Sequence, residues 1–150
     1  MNNPENEETM AHRIARAAHA FERTRTGIVP RSVTVVQSEG TLVITVHGAL
    51  SPAEQALSRT PAGAAQVQEL HRQLFASGSG ALRQEIKKIT GVEVRDATAE
   101  IDPATGTVVA VFSSGTVVQV YLLAGEISAE AWNAGGPGIP FEANDNGDLN

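Results

Sequence analysis

His47–Gly63, HGALSPAEQALSRTPAG, is the stretch whose reading decides the fold. It holds two helix starts in close succession. Ser51 suits the N-cap, Pro52 suits the first helical position with its missing N–H, and Glu54 stands at the third. Together they form a capping box, in which Ser51 and Glu54 each satisfy an orphan backbone donor. Thr60 and Pro61 repeat the pattern, but Gly63 at the third position leaves the second box incomplete. His, Ser and Glu in one short turn also resemble an active-site corner. Ser51 lacks the G-x-S-x-G elbow of a nucleophile, however, and capping is the better use of it. The stretch therefore reads as a strand-to-helix corner followed at once by a second helix.

Upstream, SVTVVQ (32–37) and TLVITVH (41–47) are β-branched runs joined by Ser38-Glu39-Gly40, which predicts a hairpin. Both faces of the second run are fairly apolar, so helices are expected to cover much of the sheet. Farther upstream, Met10, Ile14, Ala17, Ala18 and Phe21 form one helical stripe, with Thr9 as cap and Gly27 as stop. Downstream, Val67, Leu70 and Leu74 mark a helix that SGSG (77–80) is expected to break. Leu82, Ile86 and Ile89 then predict a third helix, with Lys87 and Lys88 favourable to its dipole and Gly91 ending it. Strands are predicted at 92–101, 107–113 and 116–123, the first two separated by the turn sequence Asp102-Pro103-Ala104-Thr105-Gly106. A short helical turn fits 128–133 in an otherwise Gly-, Pro- and Asn-rich end.

The predicted order is α-ββ-ααα-ββ(β). Hairpins grouped around a helical block favour an α+β fold with a largely antiparallel sheet packed against helices. Residues 1–9 are expected to be a disordered acidic N-terminus, 10–123 a single domain, and 124–150 a flexible acidic tail.

Composition narrows the classes of function. Of the 150 residues 41% are apolar and only six are Phe, Trp or Tyr, so aliphatic side chains and alanine must build the core. The absence of cysteine removes disulfides and thiolate metal sites and suits a reducing, cytoplasmic setting. No secretory signal and no run of about 18 apolar residues are present, so no insertion into a membrane is expected. The net charge of −6 divides into −3 over residues 1–9, +3 over 10–27, −1 over 28–123 and −5 over 124–150. No basic stripe with interleaved aromatics exists, which argues against nucleic acid as a partner.

Catalytic signals are sparse. His12, His19, His47 and His71 lack the companions that a metal or acid/base site needs, and no metal or cofactor is expected. SGSG (77–80) and GGPG (135–138) lack the Lys-Ser/Thr of a phosphate loop. Asp96, Glu100 and Asp102 share the even spacing of one strand face, but Asp102 belongs to a turn and the others suit solvent. The candidate binding residues are Arg23, Arg25 and Arg31, which surround Gly27 and Pro30 and suit an anion or an acidic partner, and His47 at a strand end. An enzyme would have to combine His47 with Glu54 or Asp102.

Four segments carry a resemblance. Arg25-Thr-Gly-Ile-Val-Pro-Arg-Ser-Val33 is followed by a hairpin and by Gly48-Ala-Leu-Ser-Pro-Ala-Glu-Gln-Ala-Leu57. Beyond the helix holding Val67 to Phe75 come Ile89-Thr-Gly-Val-Glu-Val94 and Glu100-Ile-Asp-Pro103. This order resembles the MpsC family over about residues 10–113. Where relatives usually carry G-(K/R)-G-P, this chain has Gly27-Ile28-Val29-Pro30, which puts any binding by that loop in doubt. The resemblance implies a cytoplasmic accessory protein of membrane bicarbonate or cation transport machinery, and it carries over no catalytic residue. The resulting expectation is a non-enzymatic interaction or regulatory domain that forms a homo-oligomer, with a dimer favoured. The alternatives are an anion sensor using residues 23–31 and an enzyme with a site near His47.

Overall fold

Thr9 opens the first helix by accepting the backbone N–H of His12, and Gly27 closes it in a left-handed turn with φ of 76°. This is α1, Met10–Thr26. The structure is a computed structural model that describes residues 8–97, 109–111, 115–134 and 141–142. Strands β1 (Ser32–Ser38) and β2 (Thr41–His47) pair antiparallel from Ser32↔His47 to Ser38↔Thr41. Only Glu39 and Gly40 lie between them, both at positive φ, which matches the twist of a tight primed hairpin turn.

The corner folds as its punctuation predicts. Helix α2, Pro52–Leu57, starts on the Ser51–Glu54 capping box, and α3, Pro61–Thr90, starts on Thr60, which accepts from Gly63. The incomplete second box has a steric reason. A Cβ at Gly63 would lie 1.9 Å from the Leu57 carbonyl oxygen, so the close turn between α2 and α3 admits only glycine there.

Helix α3 corrects the expectation of three helices after the hairpin. It runs for 30 residues straight through SGSG. These small residues serve as a contact face: Ser79 is buried, and Gly78 faces Phe21 and Arg25 of α1, its notional Cβ 3.0 Å from the Arg25 Cδ. Each glycine costs a helix about 1 kcal/mol. Capped ends and a stripe of Val67, Phe75, Leu82 and Ile86 buried along the helix offset that.

Three further strands complete the sheet, β3 (Val94–Ala97), β4 (Val109–Val111) and β5 (Val117–Leu123), and a fourth, β6 (Phe141–Glu142), follows α4 (Ala129–Asn133). The strand order is β3-β5-β2-β1-β6, and β4 also pairs with β5. Every pairing is antiparallel. The turn predicted at 102–106 lies outside the described residues. Within the stretch expected as a flexible tail, β6 pairs with β1, and Ile127 and Trp132 are buried, which removes their apolar surface from water.

Val33 and Val35, Leu42, Ile44 and Val46, and Val117, Tyr121 and Leu123 all point into the core beneath α1 and α3. Among the described residues no helix lies on the opposite sheet face, which departs from the expectation that helices cover much of the sheet. The fold is thus two layers, α+β.

Because no atom lies within 4 Å of a Cβ placed at Gly80, Gly80→Ala should raise stability by about 1 kcal/mol in urea unfolding. A helix broken at SGSG would show no such gain. Gly63→Ala should lower stability by about 1–3 kcal/mol in the same assay.

Candidate functional site

Glu54 does more than cap a helix. One carboxylate oxygen, Oε1, accepts from the Ser51 backbone N–H at 3.0 Å, and the other, Oε2, lies 2.7 Å from His71 Nε2. His71 is buried on α3, one turn after Val67 and one before Phe75. The i, i+4, i+8 spacing was the signal for this placement in the sequence. Partial burial works to raise the Glu54 pKa, but the Ser51 N–H, His71 and the Ser51 hydroxyl outweigh it and hold the group below its ordinary value.

A second polar cluster lies deeper, where α1, α3 and β5 meet. Glu22 is buried on α1, and its Oε1 accepts from Gln119 Nε2 at 3.0 Å and from Arg25 Nη2. Tyr121 donates its hydroxyl to Gln119 Oε1 at 2.8 Å. The Arg25 guanidinium lies 4.5 Å from the Phe21 ring centre and 5.9 Å from that of Phe75, so ring faces stabilise a cation that has left water. Phe75 in turn packs at a tilt on Tyr121, with centroids 5.8 Å apart. Burial, reinforced by the Glu22 charge, drives the Tyr121 pKa well above its ordinary value. His19, also buried on α1, directs Nε2 at the Pro30 carbonyl 3.2 Å away. A carbonyl only accepts, so Nε2 carries the proton. Burial, with help from Arg23, lowers the His19 pKa despite that bond.

Above this cluster, the seam between α1 and α3 is open. One cavity of about 440 Å³ is lined by Arg13, Arg16, Ala17, Ala20, Glu85, Lys88 and Ile89. An adjoining one of about 240 Å³ shares Ala17, Ala20 and Glu85 and adds Phe21, Thr24, Ala81 and Leu82. The alanines are too short to fill the gap between the helices. One end is basic, with Arg16 bonded to Glu8 at 2.6 Å, and the other is apolar. Such a trough suits an amphipathic segment that carries carboxylates at one end.

The four sequence-derived candidates fall in different surroundings. Arg23 is exposed at the end of α1, and Arg25 turns inward to Glu22 with its side chain 9% exposed. Arg31 is exposed and meets His47 through the backbone, its N–H donating to the His47 carbonyl at 2.8 Å. His47 is half-buried at the end of β2. The Glu54 considered as its partner is bonded to His71, and Asp102 lies outside the described residues. Among the described residues no group of three His, Asp or Glu side chains is arranged to hold a metal.

Fold and seam together define a two-layer α+β domain that offers a long helical groove. The chain belongs to the MpsC family: the family described as "Na+-translocating membrane potential-generating system (MpsC)" matches residues 6–114. That span runs from the approach to α1 through β4 and stops short of β5, which supplies Gln119 and Tyr121. No curated protein and no solved structure matches the chain. Among the described residues no helix is long and apolar enough to cross a membrane.

Two measurements probe the clusters. The depressed Glu54 pKa means that its stabilisation is present above pH 4.5, its ordinary value, and is lost as pH falls through the lower folded value. Glu54→Gln should therefore be less stable than wild type at pH 7, with the gap closing below about pH 4.5 in acid titrations of unfolding. Arg25→Met strands the buried Glu22 and should cost about 3–5 kcal/mol, whereas Glu22→Leu with Arg25→Met should cost less than the sum of the two single changes.

Proposed function

We propose that this chain is a non-enzymatic interaction or regulatory domain that works beside a membrane cation or bicarbonate transport system. In this reading it holds a segment of a partner protein along the α1–α3 seam. The supporting observation is how the polar side chains are used. Ser51, Glu54 and His71 secure the corner, and Glu22, Arg25, Gln119 and Tyr121 secure the core. On the seam, Arg13 and Lys88 are exposed beside an alanine-walled trough. Family membership supplies the system in which a partner is sought.

Capture with the tagged full-length chain from detergent-solubilised membranes of its source, quantified by mass spectrometry, tests the reading. Transport-system subunits should be enriched by wild type. Arg13→Glu with Lys88→Glu should lower that enrichment about tenfold while leaving the melting temperature near the wild-type value, since both side chains are exposed. Equal enrichment by wild type and variant would remove the seam from the reading. No transport subunit with either protein would overturn the association itself.

A further inference from the structure

The chain enters α1 along the rim of the helical seam. Thr9, the cap, is buried, and Glu8 just before it turns its side chain along the helix. One carboxylate oxygen lies 3.2 Å from His12 Nε2, and the other lies 2.6 Å from Arg16 Nη1. Arg16 lines the larger seam cavity, so an acid of the N-terminal stretch already sits on its basic lip. Arg13 and Lys88 are the other two cations of that cavity, and Glu85 is its one acid. The sequence before Glu8, MNNPENE, carries two further acids, Glu5 and Glu7, and no base. Two carboxylates therefore lie in the chain next to the two seam cations that Glu8 does not engage.

We propose that residues 1–7 fold back along the α1–α3 seam, with Glu5 and Glu7 against Arg13 and Lys88, and compete with a partner for the same trough. Charge selects this occupant, since the segment is purely acidic and the lip it borders is basic. Reach allows it. Seven extended residues span up to about 24 Å, whereas Arg13 stands only about 8 Å along α1 from Glu8 at about 1.5 Å per residue. Attachment strengthens it. A short tether holds the segment near the seam at an effective concentration on the order of millimolar. Exposed ion pairs are individually weak, and the tether lets a few of them suffice for a reversible strap. The same weakness lets a partner displace the strap by adding apolar contacts at Phe21 and Leu82, in the adjoining cavity. The seat of the segment is independent of any partner; the competition rests on the partner reading proposed above.

Lysine labelling of the purified full chain tests the seat with no partner present. The chain has two lysines, Lys87 and Lys88, and both are exposed. Lys87 lies 3.6 Å from Glu93, away from the trough, and serves as the internal reference. A water-soluble acylating reagent is applied, and fragment mass spectrometry reads the rate at Lys88 relative to Lys87. That ratio should rise about threefold in Glu5→Gln with Glu7→Gln, because the carboxylates sheltering Lys88 are gone. Both changes precede α1, so the circular dichroism spectrum should match wild type. Salt at about 1 M should bring wild type to the ratio of the variant. Equal ratios in the two proteins, or a difference that such salt leaves intact, overturn the proposal. Capture from solubilised membranes tests the competition: the same variant should enrich transport-system subunits about threefold over wild type. Equal or lower enrichment overturns the competition. Capture of no transport subunit by either protein overturns the partner reading and the competition with it, and the labelling ratio alone then decides the seat.

Discussion

The hydrogen bond between Glu22 and Gln119 ties the helical layer to the sheet across 97 residues of chain, and much of the structure follows from keeping it. A buried carboxylate is costly unless it is paired and hydrogen-bonded. Glu22 therefore needs Arg25, and Arg25, once out of water, needs the rings of Phe21 and Phe75. Those rings and the guanidinium need space against α3, which Gly78 and Ser79 provide. The small residues of SGSG thus leave room for the buried ion pair where α3 passes α1. Tyr121 closes the chain of dependence by donating to Gln119 while packing on Phe75.

The corner at 47–63 works by a similar economy of groups. Glu54 caps α2 and also engages His71, so the start of one short helix is fastened to the interior of the long one. Gly63 lets the two helices turn tightly enough for this to happen. Ser51 and Glu54, which resembled catalytic groups in the sequence, are therefore occupied in holding the corner. What the molecule offers outward is a basic and apolar trough on the helical layer.

The resemblance in the sequence and the family match agree over nearly the same residues, and the helix caps at Thr9, Ser51 and Thr60 were legible from local chemistry. The buried clusters were much harder to read. His71 sits on the apolar stripe of its helix, but its partner Glu54 is 17 residues away and belongs to another helix. Glu22 and Arg25 appeared as one acid among arginines, because nothing local announces that a carboxylate will be carried into a core. Gln119 lies in a valine-rich strand, where its inward position follows from alternation but its partner does not.

Local sequence determined the caps, the hairpin and the alternation of the strands, since each depends on interactions within about four residues. It also determined the α+β class, through the order of those elements. Only the tertiary structure decided that SGSG is a packing surface, that Arg25 turns inward while Arg23 and Arg31 remain outside, and that the helices gather on one face of the sheet. Those outcomes depend on which distant groups share a dry interior. Burial and pairing across the chain carry free energies comparable to or larger than local propensity, and so decide each case.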